Sequence, residues 1–220
     1  MSTATLDQAH FNMIEQQVRP WDVLDARILD TLKQIPRENF VPDAYKKLAY
    51  ADTAIPLGGG QFMLHPIVVG RILQSLEIQP MDNILEIGTG SGYLTACLAY
   101  LGYHVTSIEI DEALSQAAAK NLDAQNMQNV SLLCGDAQQV LDTSRQYDVV
   151  VVTASVSEIP DMFKQALAID GRMFIVTGEA PVMSARLLTR IAKDQWSNQV
   201  LFETSIKPLV NAETRKSFVF

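Results

Sequence analysis

The run Leu85-Glu86-Ile87-Gly88-Thr89-Gly90-Ser91-Gly92-Tyr93 constrains the fold of this chain more than any other stretch. An apolar strand, Ile84–Ile87, breaks into alternate glycines, and a helical pattern resumes over Tyr93–Leu101. A strand, a glycine turn and a helix in that order bring bare backbone and free N–H groups against a nucleotide-like ligand. About twenty residues further on, a second apolar strand, Val105–Ile108, ends at Glu109, the position from which such folds hold two ribose hydroxyls.

Which ligand is held turns on position 93. The dinucleotide fingerprint G-x-G-x-x-G needs glycine there, and the chain has Tyr93. The spacing is instead G-x-G-x-G after Glu86, which resembles the nucleoside-binding loop of S-adenosylmethionine (SAM) methyltransferases. A glycine loop alone is a weak signal; joined to its flanking strands and Glu109 it is a strong one.

Downstream, apolar strands and helical patterns alternate: Glu112–Gln125 helical, Val130–Cys134 a strand, Ala137–Leu141 a short helix or turn, Tyr147–Thr153 a strand, Ile159–Leu167 helical and Arg172–Thr177 a strand. Continuous apolar strands between helices imply a parallel sheet covered on both faces. Two further strands, Trp196–Phe202 and Lys216–Phe220, are expected antiparallel at the sheet edge. The predicted fold class is α/β, a doubly wound Rossmann-like sheet of about seven strands with a helical N-terminal extension. Residues 1–80 form that extension and an acceptor loop, and residues 81–220 the SAM-binding core, as one structural unit. In open parallel sheets the ligand lies beyond the carboxyl ends of the strands. The expected cofactor set is therefore Glu86, Gly88, Thr89, Gly90, Ser91, Gly92, Glu109, Ile110, Asp136, Ala137 and Thr153. Asp136 can accept from an adenine amino group or merely cap the following helix. Glu109 can hold the ribose or be an exposed strand-end carboxylate.

The net charge of −8 argues against a general attraction to phosphate backbones, so nucleic acid is not an expected partner. No apolar run approaches the roughly 18 residues that span a bilayer. The first fifteen residues lack the basic start and apolar core of a signal peptide, and a cytoplasmic location is expected. Cys97 and Cys134 both stand in apolar sequence and read as buried thiols. With three histidines and no close Cys/His spacing, no metal site is expected.

N-terminal to the loop, Leu6–Val18 and Asp22–Ile35 read as helices, the second with Leu24, Ile28, Leu29 and Leu32 at helical spacing. Tyr45–Tyr50 is a shorter helix, and Ala51–Pro66 is irregular before Ile67–Leu76 turns helical again. A long irregular stretch inside a compact protein is more often functional than idle. The segments Pro36-Arg37-Glu38-Asn39-Phe40-Val41, Tyr50-Ala51-Asp52, Pro56-Leu57-Gly58, Leu85–Tyr93, Gly135-Asp136, Tyr147-Asp148, Ile159-Pro160 and Pro208-Leu209-Val210 resemble, in this order, the protein-L-isoaspartate O-methyltransferase family. The resemblance runs from about Met13 to Val210. It implies a SAM-dependent repair enzyme that methylates the abnormal carboxylate of an isoaspartyl residue in a protein or peptide.

One stretch departs from the family pattern. The resemblance implies a Gly-Gln-Thr-Ile-Ser-x-Pro-like segment whose serine hydroxyl orients the acceptor, and this chain reads Gly60-Gln61-Phe62-Met63-Leu64-His65-Pro66. Leu64 offers no hydrogen bond. Met63, Leu64 and His65 are the expected acceptor-side residues, and no catalytic residue is assigned. His65 can supply a donor or cation in the serine's stead, or be an ordinary loop residue. Phe62, Met63 and Leu64 can face an apolar acceptor or pack as core. Trp21 is expected to anchor the extension, with a substrate lid as the other use. The alternatives to isoaspartyl repair are a SAM methyltransferase with a small-molecule acceptor and a SAM-binding protein without turnover. Oligomeric state is not legible.

Overall fold

A computed structural model of the chain describes residues 3–212. The N-terminal part carries helix α1 (Thr3–Asn12), continued in π geometry over Met13–Val18, then α2 (Ala26–Gln34), 3-10 turns at Arg37–Phe40 and Asp43–Leu48, a hairpin of β1 (Ile55–Gly58) and β2 (Gln61–Met63), and α3 (Pro66–Leu76). The rest alternates: β3 (Asn83–Ile87), α4 (Tyr93–Leu101), β4 (His104–Glu109), α5 (Glu112–Ala124), β5 (Val130–Cys134), α6 (Ala137–Val140), β6 (Tyr147–Val156), α7 (Asp161–Gln165), β7 (Leu167–Glu179), β8 (Val182–Ala192) and β9 (Gln195–Glu203). One seven-stranded sheet has the order β5-β4-β3-β6-β7-β8-β9. Strands β3 to β7 pair in parallel, and β8 and β9 close the edge antiparallel.

The strands show why both faces are covered. In β6, Val149 and Val151 fall in one apolar cluster and Val150 and Val152 in the other, all fully buried, as a period of two requires. One face packs against α2, α3 and α4; the other holds Ala137 of α6 and Phe163 of α7. Caps set several helix starts. Asp25 accepts from the Arg27 N–H at 2.8 Å and Asp111 from Ala113 and Leu114, while Pro66 opens α3 where a missing N–H costs nothing.

Several expectations change. The second helix starts at Ala26 rather than Asp22, because Asp22 is left-handed (φ 60°) and Asp25 is the cap, which leaves Leu24 exposed. The stretch Ala51–Pro66 is not irregular throughout: Gly58, Gly59 and Gly60, all at positive φ, turn the β1–β2 hairpin. The antiparallel edge is β8 with β9, and β8 has no counterpart in the sequence reading. The expected strand Lys216–Phe220 lies outside the described residues. Cys97 is buried, but Cys134 is exposed, because β5 is an edge strand with a neighbour on one side only. Trp21 does not anchor the extension in the core. It is exposed at the rim of a small groove that it shares with Arg71 and Phe202. No helix among the described residues is long and apolar enough to cross a membrane.

Candidate functional site

A cavity of about 660 Å³ opens beyond the carboxyl ends of β3, β4 and β6. It lies where the strand order reverses, between β3 and β6. The β1–β2 hairpin and the chain after it supply Leu57, Gln61, Phe62, Met63, Leu64 and His65 to one wall. The segment from Ser205 to Val210 supplies another. That segment is fixed on β6 by backbone bonds from Ser155 N–H to Lys207 C=O and from Leu209 N–H to Ser155 C=O, each 2.8 Å.

The glycine loop is held by its own backbone and by side chains behind it. Gly88 N–H donates to Ile108 C=O at 2.8 Å, and Asn121 Nδ2 donates to Ser91 C=O at 3.0 Å. Gly88 has φ 96°, and a Cβ there would come within 2.1 Å of Thr153 Oγ1, so only glycine fits. Thr153 Oγ1 in turn donates to Gly88 C=O at 2.7 Å, which seats the loop on β6.

Gly88, Thr89, Gly90, Ser91, Glu109, Ile110, Asp136, Ala137, Thr153, Met63, Leu64 and His65 all reach the cavity wall. The Glu109 carboxylate accepts from Gly90 N–H at 2.8 Å and from Asp111 N–H at 3.1 Å, one bond on each oxygen. Each oxygen keeps a lone pair for a further donor. Asp136 does cap α6, accepting from Gln138 N–H at 2.9 Å, and it also accepts from Asn211 Nδ2 at 2.9 Å. Capping and a place at the cavity wall are therefore compatible.

Glu86 and Gly92 do not line the cavity. Glu86 lies one residue out of phase with Leu85 and Ile87, so its side chain points under α4 and is fully buried. Its Oε2 accepts from Thr95 Oγ1 at 2.5 Å and from Ser107 Oγ at 2.6 Å, and Ser107 Oγ meets Thr89 Oγ1 at 2.6 Å. The chain of bonds ties strand, helix and loop together from behind. Burial pushes the Glu86 pKa up to about 8, against the downward pull of the two hydroxyls. Gly92 faces α5, where a Cβ would stand 3.3 Å from Leu122 and 3.4 Å from Ala118.

On the acceptor side, Met63 is buried in the core, Phe62 is partly exposed, and Leu64 lines both the cavity and the Trp21 groove. His65 Nδ1 lies 3.5 Å from Asp52 Oδ1, so a carboxylate faces it already. Lys207 Nζ lies over the Phe62 ring at 5.8 Å to the centroid. The sequence reading assigned no role to the Ser205–Val210 wall beyond the resemblance at Pro208-Leu209-Val210, and it did not single out Arg37, which also reaches the cavity. A short, partly exposed segment outside any strand or helix carries no periodic sign of the wall it makes.

The protein-L-isoaspartate(D-aspartate) O-methyltransferase family model matches residues 8–214. A protein-L-isoaspartate O-methyltransferase of Aliivibrio fischeri is 34% identical over 203 residues, covering 91% of this chain and 96% of its own length. One from Pseudomonas paraeruginosa is 38% identical over 188 residues, covering 85% and 89%. Among solved structures, one from Plasmodium falciparum named for the same activity, in complex with S-adenosyl-L-homocysteine, superposes with a TM-score of 0.80 at 20% identity, covering 91% and 97%; that likeness speaks to the fold. With the motif order, the full-length match and the identity to these relatives in agreement, the chain belongs to the protein-L-isoaspartate O-methyltransferase family.

Proposed function

We propose that this chain transfers a methyl group from SAM to the carboxylate of isoaspartyl residues in proteins, as the opening step of repair. The observation that carries the reading is the glycine-loop cavity at the switch point, with the Glu109 carboxylate on its wall, in a chain of this family. The residues present suit the cofactor. Glu109 has acceptor capacity for a diol, Asp136 and Ala137 line the cavity and can offer an acceptor to an adenine amino group, and the loop backbone can approach without side chains. SAM supplies an activated sulfonium methyl.

The protein's share of the chemistry is placement. A carboxylate is already an anionic nucleophile, so no Ser/His/Asp arrangement is required. What the walls must do is align acceptor oxygen and methyl carbon in line and keep water away. Met63 and Leu64 give an apolar wall for that purpose, and the Ser205–Val210 segment, whose Lys207 meets Phe62, extends the lining beside them. The resulting methyl ester can close to a succinimide, which reopens partly to normal aspartate.

A second reading is favoured by one observation: the wall formed by Phe62, Met63 and Leu64 is apolar where an acceptor carboxylate must come to rest. That wall suits a small apolar acceptor on the same cofactor site. Incubation with tritiated SAM and an isoaspartyl peptide, beside its normal aspartyl twin, separates the two. Base-labile methyl ester on the isoaspartyl peptide alone is the expected result. No transfer, with SAM binding measured in parallel, would move the assignment to another acceptor or to a binder without turnover.

A further inference from the structure

Arg37 opens the 3-10 turn Arg37–Phe40 and exposes no surface to solvent. Its Nε, Nη1 and Nη2 atoms are all buried without a hydrogen-bond partner among the described residues. Asp52, the carboxylate whose field reaches it, lies against His65 instead. Burial pushes the guanidinium pKa down, the direction expected of a cation short of partners.

The bland account is that Arg37 is satisfied by stacking, since its guanidinium carbon lies 5.3 Å from the Tyr93 ring centroid. A ring face offsets only part of the cost of an ion taken from water, and it uses none of the five N–H donors. Arg37 is itself among the residues that line the cavity, as are Ser91, Leu64 and His65. The three nitrogens present no surface to the cavity as it stands, so an anion there feels a charge that bulk water does not screen and reaches the donors only as the guanidinium turns toward it.

We propose that Arg37 is the anion receptor of this cavity and takes a ligand carboxylate as its counter-ion. The proposal rests on the methyl-transfer reading, which supplies two such carboxylates, one at the amino-acid end of the cofactor and one on the acceptor. A planar guanidinium fork matches either in bidentate fashion, where a lysine would offer only a point charge.

The test compares wild type with Arg37→Met by calorimetry against S-adenosylhomocysteine and against 5′-methylthioadenosine, the same nucleoside thioether without a carboxylate. It adds the KM and kcat for an isoaspartyl peptide. If the cofactor's carboxylate is the partner, affinity for S-adenosylhomocysteine falls at least about tenfold while methylthioadenosine binds as before. If the acceptor's carboxylate is the partner, both nucleosides bind as before and KM for the peptide rises at least about tenfold. Equal losses for both nucleosides would mark a structural role only, and unchanged binding with unchanged KM would mark no role; either overturns the proposal. Should Arg37→Met fail to fold, Arg37→Lys carries the same comparison, keeping the charge while losing the fork, with the same outcomes deciding. If wild type binds the cofactor but leaves the peptide unmethylated, the isoaspartyl reading fails, and Arg37 is then decided by the nucleoside pair alone, with no selective loss overturning it.

Discussion

Two glutamates on neighbouring strands, Glu86 and Glu109, meet different surroundings within one sheet. Glu109 stays at the cavity wall with two backbone donors, so Glu109→Ala should weaken SAM binding at least about tenfold by calorimetry, the loss expected for hydrogen bonds to a charged group. Glu109→Gln, which keeps the shape, separates lost ligand bonds from a loosened loop; unchanged affinity in both would remove the ribose role. Glu86 is buried with its pKa raised to about 8 from 4.5. The unfolded chain then binds fewer protons than the folded one between these values, so stability falls as pH rises through that window and levels above it. Glu86→Gln should flatten the fall, seen as urea midpoints at about pH 5 and about pH 9 that lie closer together than in wild type. Parallel profiles would show that Glu86 is already ionised inside the fold. At position 64 the expected outcome is a gain: Leu64→Ser should raise the rate of isoaspartyl-peptide methylation, and no gain would mean that Leu64 alone does not set the acceptor. The places of the glycine loop and Glu109 at the cavity were legible because a tight strand-to-helix turn and a strand end mark themselves by residue type at fixed spacing. Glu86 was misplaced and Arg37 overlooked because strand phase and the absence of a partner are properties of packing.

At the scale of elements, the strands buried on both faces announced themselves by continuous apolar runs. Strand β8 did not. Its residues Val182–Ala192 alternate between covered Met183, Ala185 and Leu188 and more open neighbours, with Arg186 and Arg190 interrupting the run. Arg186 lies along the sheet with its Nε on Thr177 Oγ1 at 2.7 Å, and Arg190 donates to the Leu167 carbonyl, so both fit a strand that local hydropathy hides. The segment from Ser205 to Val210 is equally quiet in sequence and closes the cavity. A chain ending at Glu203 keeps all seven strands of the sheet but loses the two backbone bonds at Ser155. Circular dichroism should then retain the strand signal while affinity for S-adenosylhomocysteine falls about tenfold or more, as expected when a site loses a wall and two fixed contacts. Retained affinity would confine the role of this segment to the acceptor side.

Over the whole molecule, the split between an N-terminal extension and a cofactor-binding core describes the order of the chain better than its packing. One apolar cluster joins Met13, Ile28 and Phe40 to Leu73, Leu98, Val149 and Phe174, so residues before and after position 80 share a core. The cavity straddles the same divide, with Leu57 to His65 on one side and Gly88 to Ser91 on the other. A shared core and a shared ligand site both oppose separate unfolding. Scanning calorimetry should therefore give a single cooperative transition, with calorimetric and van't Hoff enthalpies equal. S-adenosylhomocysteine at about a hundred times its Kd adds roughly 2.7 kcal/mol to the folded state, which for a chain of this size moves Tm by about 5–11 °C. The whole peak should move. Two peaks, of which the ligand shifts only one, would mean that the first 80 residues fold as a unit of their own and contribute little to holding the cofactor.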